Sequence, residues 1–441
     1  MKAVAALMAL IVSILAGWAQ PTPYPSPAST MDSIAESYIK LVLAMTPHDP
    51  DYVDAYYGPA AWKSEVAAAR KPLGAIGQEA ADLRAELAKV PPPNDKMEDL
   101  RREFLSKQLG ALGARVRLLE GAKMTFDQQA QALYDSVAPH YSDLHFQKLI
   151  DEIEATGVLK PKDAADRRTL AQRYADWRKA FIIPNEKLST VFQLAIKECR
   201  ARTLAHLSLP PNESFTVEYV TGKPWGGYNW YKGNYHSVIQ VNTDLPTYID
   251  RAVDLAAHEG YPGHHVYNSL LEKNLTRGRG WLEFSVYPLY SPQSLVAEGT
   301  ANFGREVVFT KPERLQFEKK VLWPAAGLDP ARVEEYYVVQ DLVEKLSYAT
   351  NEAARQLIDG KIHAPAAAAW LEKYAMQEPA IAQKRVQFIQ HYGSYVINYN
   401  YGEDLVRHYL ARQGGTADHP EKRWEEFGRL LSSPRLPSGL R

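Results

Sequence analysis

Residues 258–265 read "HEGYPGHH", and how this octet sits in the chain decides how the surrounding fold is read. It opens like the helical zinc-protease signature H-E-x-x-H, where two histidines four apart face one ion and the glutamate serves as base. Pro262 stands where the second histidine belongs. Just upstream, "TYIDRAVDLAAHEG" (247–260) carries Ile249, Val253, Ala256 and Ala257 at helical steps, so the octet closes a helix with one buried stripe. In an unbroken helix, residues six apart lie about 240° round the axis and about 9 Å along it, and residues seven apart stand about 10.5 Å apart. His258 therefore cannot share an ion with His264 or His265 unless the helix opens. Pro262 has no N–H for the carbonyl of His258 and its ring crowds that carbonyl, while Gly263 tolerates unusual backbone angles. A widened turn at Pro262-Gly263, of the π type, is expected to absorb the extra residues. His264 needs less distortion than His265, and both stay candidates. A plain helix stop, with Pro-Gly and capping histidines, is the competing reading of the same letters.

A catalytic zinc site takes three protein ligands and a water. His258, His264 and His265 supply nitrogen, and "VAEGTANF" (296–303) supplies Glu298 in a helical context. Glu259 follows the first histidine, where the general base of such enzymes lies. Asn302, one turn after Glu298, and Asp254, one turn before His258, are candidates to hydrogen-bond ligating histidines.

Working outward, "LPPNESFTVEYVTGKPWGGYNWYKGNYHSVIQVNTDLP" (209–246) alternates β-branched and aromatic residues between glycine turns, and reads as two or three antiparallel strands. Within it, "HSVIQVNT" is either a strand that lines the site and pairs with an extended peptide or simply one strand of a small sheet. From Met31 to about Leu207 apolar residues recur at three- and four-residue steps, with proline breaks at "KVPPPND", "TGVLKPKD" and "FIIPNE". Further helices are expected at "PQSLVAEGTANFGREVVF", "ARVEEYYVVQDLVEKLSYATNEAARQLIDG" and "QKRVQFIQHYGSYVINYNYGEDLVRHYLARQ". The fold class is mainly α: a large helical protein with a small antiparallel β-sheet next to the metal-site helix.

The 441 residues are enough for a sizeable core, and 51 basic against 52 acidic residues, a net charge of −1, offer no argument for nucleic acid or a membrane surface. Lys2, the apolar run Ala3–Gly17 and the small residues Gly17 and Ala19 read as a signal peptide over 1–19, too short for a membrane anchor. A spacer over 20–30, a helical region over 31–207 and a catalytic region over 208–441 follow. The expected location is periplasmic or secreted, with no membrane span after signal cleavage. The single cysteine, Cys199, excludes intramolecular disulfides and reads as a packed apolar residue.

"HEGYPGHHVYN", then "AEGTANF" about forty residues on, then "YNYGED", resembles the bacterial DUF885 family, with its pattern H-E-A-x-P-G-H-H-x-Q, E-G-W and Y-x-x-G. The resemblance covers about 210–410. It implies a gluzincin-like zinc metallopeptidase with His258, one of His264 and His265, and Glu298 as ligands, Glu259 as base, and Tyr399 in the late tyrosine motif. This chain departs from the pattern at Gly260 and Thr300. The expected activity is hydrolysis of a peptide substrate with Zn2+ as cofactor. Tyr399 would donate to the developing oxyanion, with Tyr395 and Tyr401 as rivals. A zinc amidohydrolase or esterase acting on a non-peptide substrate and a non-enzymatic helical binding protein with a decayed site are the alternatives.

Overall fold

The computed structural model describes residues 30–223 and 225–441. The signal-peptide reading and nearly all of the spacer lie outside the described residues; Thr30 already opens the first helix, Thr30–Ala44. The chain is mainly helical with small sheets, as its periodicity implies. Helix starts follow local chemistry. Asp95 accepts from the backbone N–H of Met97 and Glu98 at the head of Lys96–Leu119, and Thr125 with Gln128 and Thr169 with Gln172 form capping boxes. Prolines 72 and 184 sit immediately before Leu73–Leu87 and Asn185–His206.

Two small sheets occur among the described residues. One is β2 (Ser214–Val220), β3 (Gly227–Gly233) and β4 (His236–Asn242), in the order β2-β4-β3, with β3 antiparallel to β4 and β2 joining β4 in parallel. The other escaped the sequence pattern: β1 (Val53–Tyr56), inside the helical N-terminal region, pairs antiparallel with β5 (Val286–Pro288). Both are too short to show a period of two convincingly.

Two long helical readings are each divided. Residues 331–360 form Val333–Lys345 and Tyr348–Ile358, and 383–413 are interrupted by the tight turn Gly393–Val396 ahead of Ile397–Arg412. That interruption matters, because it reorients the tyrosines that follow it. Buried side chains of the N- and C-terminal halves form one continuous core. Across it, the buried Arg101 guanidinium donates to Glu283 at 2.6 and 3.1 Å and to Asp32 at 2.8 Å. Cys199 is fully buried, and burial pushes its thiol up to about 12, so it packs as an apolar side chain.

Candidate metal centre

The helix Asp250–Leu255 widens into a π-turn over Ala256–Gly260, with Tyr261 N–H donating to Ala256 O at 3.0 Å and Gly263 N–H to Ala257 O at 2.8 Å. A cis Tyr261–Pro262 bond follows, and a new helix begins at His264. Gly263 is required here: a Cβ on it would lie 1.9 Å from the carbonyl oxygen of His258. The wide turn and the fresh start bring the Nε2 atoms of His258 and His264 to 3.1 Å from each other. Glu298, on the buried helix Pro292–Val308, places Oε2 3.4 Å from the first and 3.7 Å from the second.

These are the edges of a triangle. At metal–ligand distances of about 2.0–2.1 Å and tetrahedral angles, ligand atoms stand about 3.3–3.4 Å apart. The three edges bracket that value, and the buried Glu298 Oε2 has no hydrogen-bond partner among the described residues. A buried carboxylate oxygen and two imidazole nitrogens aimed at one point want a cation between them. Histidine nitrogen and carboxylate oxygen are zinc donors, and three of them leave a fourth position open.

Neighbouring groups orient two of these three side chains. Asn302 Nδ2 donates to the carbonyl of Tyr399 at 2.9 Å, which turns Asn302 Oδ1 towards His258 Nδ1, 2.8 Å away. His258 therefore carries its proton on Nδ1 when neutral and presents a lone pair at Nε2. Tyr395 donates to Glu298 Oε1 at 2.8 Å and itself accepts from Ser294 at 3.3 Å, so Oε2 is the oxygen left to face the histidines. Burial alone would lower the His258 pKa, but the Glu298 carboxylate outweighs it and lifts the group to about 9. Burial would raise Glu298, but the nearby imidazoles of His258 and His264, 3.4 and 3.7 Å from Oε2, instead hold it well below the carboxylate range.

Glu259 is buried, and Asn229 Nδ2 donates to its backbone carbonyl at 2.7 Å. Its side-chain oxygens accept no hydrogen bond among the described residues. They lie against Gly227 of β3, where a Cβ would come within 3.0 Å of Oε1. Burial pushes its pKa up, against the lowering fields of His258 and His264. Tyr399 packs edge-on against Tyr395 with ring centroids 5.7 Å apart, and its hydroxyl has no hydrogen-bond partner among the described residues. Burial, with the charges of Glu298 and Glu259, keeps that phenol protonated. Of its rivals, Tyr395 is committed to Glu298.

Two expectations are corrected. His265 does not join His258, His264 and Glu298: one residue further round the helix turns its ring about 100° away. There, fully buried, its Nε2 meets Glu213 at 2.9 Å and its Nδ1 meets Ser237 at 2.9 Å. Glu213 also accepts from Tyr261 at 2.5 Å and Arg200 at 2.6 Å. Asp254 does not bond a ligating histidine; it pairs with Arg251 and lies 3.6 Å from Arg305. The π-turn that begins at Ala256 breaks the one-turn stacking on which that expectation rested.

The sequence reading missed the contribution of the N-terminal region. Asp54 of β1 accepts a hydrogen bond from Tyr228 of β3, and burial together with the charges of Glu298 and Glu259 raises its pKa well above the usual range. Nothing in "DYVDAYYG" (51–58) marks Asp54 as special, because its placement comes from pairing with β5, far along the chain.

No protein-family model matches the chain, and no curated protein does. Among solved structures it is similar to a candidate lipoprotein from Colwellia psychrerythraea, at 16% identity and TM-score 0.49, covering 94% of this chain and 75% of that one. It is also similar to a candidate lipoprotein of unknown function from Shewanella oneidensis, at 13% identity and TM-score 0.43, covering 90% of this chain and 82% of that one.

Proposed function

We propose that the protein is a zinc-dependent peptidase. One observation carries the reading: His258 Nε2, His264 Nε2 and the unpartnered Glu298 Oε2 converge beside a second buried carboxylate, Glu259, whose oxygens are uncommitted. His258, His264 and Glu298 would hold the ion. Zinc bound there supplies a Lewis acid for a carbonyl oxygen and a water of lowered pKa. Glu259 takes a proton from the attacking water and hands it to the leaving nitrogen as the carbon–nitrogen bond breaks. Tyr399, protonated and free to donate, stabilises negative charge developing on the carbonyl oxygen. Asn302 and Tyr395 keep two ligands in register without touching substrate. The leader-like residues 1–19 support export to the periplasm or beyond, and among the described residues no helix is long and apolar enough to cross a membrane.

The test combines metal analysis with a peptide mixture. Purified protein should contain one zinc, release amino acids or short peptides, and lose that activity with a chelator. Glu259→Gln should keep its zinc and lose about 10²–10⁴-fold in rate. Turnover confined to acyl amides or esters would assign the site to a non-peptide substrate, and zinc-free protein without hydrolytic activity would end the enzymatic reading.

A further inference from the structure

Two of the three converging side chains have hydrogen-bonded partners that orient them: Asn302 for His258 and Tyr395 for Glu298. His264 has no such partner. Its Nε2 faces His258 and Glu298, and no hydrogen bond among the described residues reaches its Nδ1. Its placement therefore depends on the backbone that carries it, and that backbone is gripped from the three-stranded sheet. Glu213 stands immediately ahead of β2, Asn229 lies in β3 and Ser237 in β4, and all three are buried. Asn229 holds the Glu259 carbonyl, Ser237 meets His265, and Glu213 meets both Tyr261 and His265.

Glu213 makes the connection that spans the ligand. Its Oε2 accepts from Tyr261 at 2.5 Å and meets His265 Nε2 at 2.9 Å, while Oε1 accepts from Arg200 at 2.6 Å. Tyr261 precedes His264 and His265 follows it, so one oxygen ties the chain on both sides of the ligand. The Phe215 ring of β2 closes over this junction, with its centroid 5.2 Å from the rings of both Tyr261 and His265. A Cβ on Gly260 would come 3.2 Å from that ring, so the turn lies flush against the sheet. Buried donors and acceptors have no water to turn to, which makes such a junction costly to rearrange.

We infer that Glu213 is a positioning residue for His264: through Tyr261 and His265 it holds the opened turn in the conformation that brings His264 Nε2 to His258 and Glu298. It touches neither the ion nor the substrate. This rests on the metal-site reading above.

The experiment measures zinc affinity by chelator competition and the visible spectrum of the cobalt-substituted protein in Glu213→Ala and Glu213→Gln. The glutamine carbonyl oxygen can still accept from both Tyr261 and His265 and gives up only Arg200. Glu213→Ala should weaken zinc by about 10- to 100-fold, the usual loss when a residue that orients a ligand is removed, and should diminish the absorption typical of a four-coordinate cobalt ion. Glu213→Gln should keep both close to wild type. Arg101→Met, whose buried partner Glu283 lies outside the octet, controls for lost stability and should keep both despite a lower melting temperature. Should Glu213→Ala not fold, Tyr261→Phe removes one hydroxyl and should weaken zinc by about 2- to 10-fold, the worth of one hydrogen bond. Unchanged affinity and spectrum in Glu213→Ala or, where that variant does not fold, in Tyr261→Phe overturn the inference. Equal losses in Glu213→Ala and Glu213→Gln, or the same loss in Arg101→Met, also overturn it. If the wild type takes up no zinc, the metal reading fails by its own test, and crystal structures of the wild type and Glu213→Ala decide the role of Glu213. A His264 ring displaced from His258 in the variant upholds it, and an unmoved ring refutes it.

Discussion

The adjacent histidines at 264 and 265 have the same chemistry and opposite employment. His264 points Nε2 at His258 and Glu298, whereas His265 is spent on Glu213 and Ser237. His264→Ala should therefore abolish stoichiometric zinc with only a modest change in melting temperature. His265→Ala should keep the metal but lose stability on the order of 1–3 kcal/mol, because the buried Ser237 hydroxyl loses its partner and the buried Glu213 carboxylate loses one of its three. Metal analysis beside thermal unfolding separates the two, and zinc loss in His265→Ala alone would reverse the assignment. Glu213 also provides a pH signature. Burial would raise its pKa, but bonds from His265, Tyr261 and Arg200 hold it at about 2 against an ordinary 4.5. A depressed carboxylate stabilises the fold above its unfolded pKa, so this contribution is intact above about pH 4.5 and disappears as the pH falls towards 2. Its size is about 3 kcal/mol. Denaturation midpoints measured from pH 5 to pH 2 should fall more gently in Glu213→Gln than in the wild type.

At the scale of elements, the centre depends on how closely two helices approach. A Cβ on Gly299 would lie 2.4 Å from the backbone carbon and oxygen of Gly402, so Pro292–Val308 and Ile397–Arg412 touch through bare backbone. That contact sets Glu298 beside Tyr395 and Asn302 beside the Tyr399 carbonyl. Gly299→Ala should push the helices apart, costing about 1–3 kcal/mol from overpacking and weakening zinc binding in chelator competition. Unchanged stability and affinity would show that the approach is not needed. The octet itself was legible at this scale. Pro262 and Gly263 announce that the helix cannot run straight, and its mainly helical neighbours with a small sheet beside them follow from periodicity. The short strands β1 and β5 were not legible, since three or four residues carry too little pattern to distinguish strand from loop.

Across the whole molecule, the N-terminal region is part of the same core as the half that carries His258, His264 and Glu298, and its strand β1 contributes Asp54, which feels the charges of Glu298 and Glu259. Arg101, from the Lys96–Leu119 helix, is the buried electrostatic link to Glu283. Arg101→Met should cost about 3–5 kcal/mol by leaving a buried carboxylate unpaired. Replacing Glu283 by Met as well should recover much of that. Urea midpoints of the single and double variants check both. What the sequence by itself determined was local: helix periodicity, the break at Pro262, and a histidine followed at once by a glutamate at that break, because these follow from rise, rotation and ring geometry over a few residues. Which histidine joins His258 and Glu298, which tyrosine holds Glu298 and which remains free, and the pairing that places Asp54 on β1 were decided only by tertiary structure. Those depend on which faces of distant helices pack together, and a side chain one position along a helix points about 100° away.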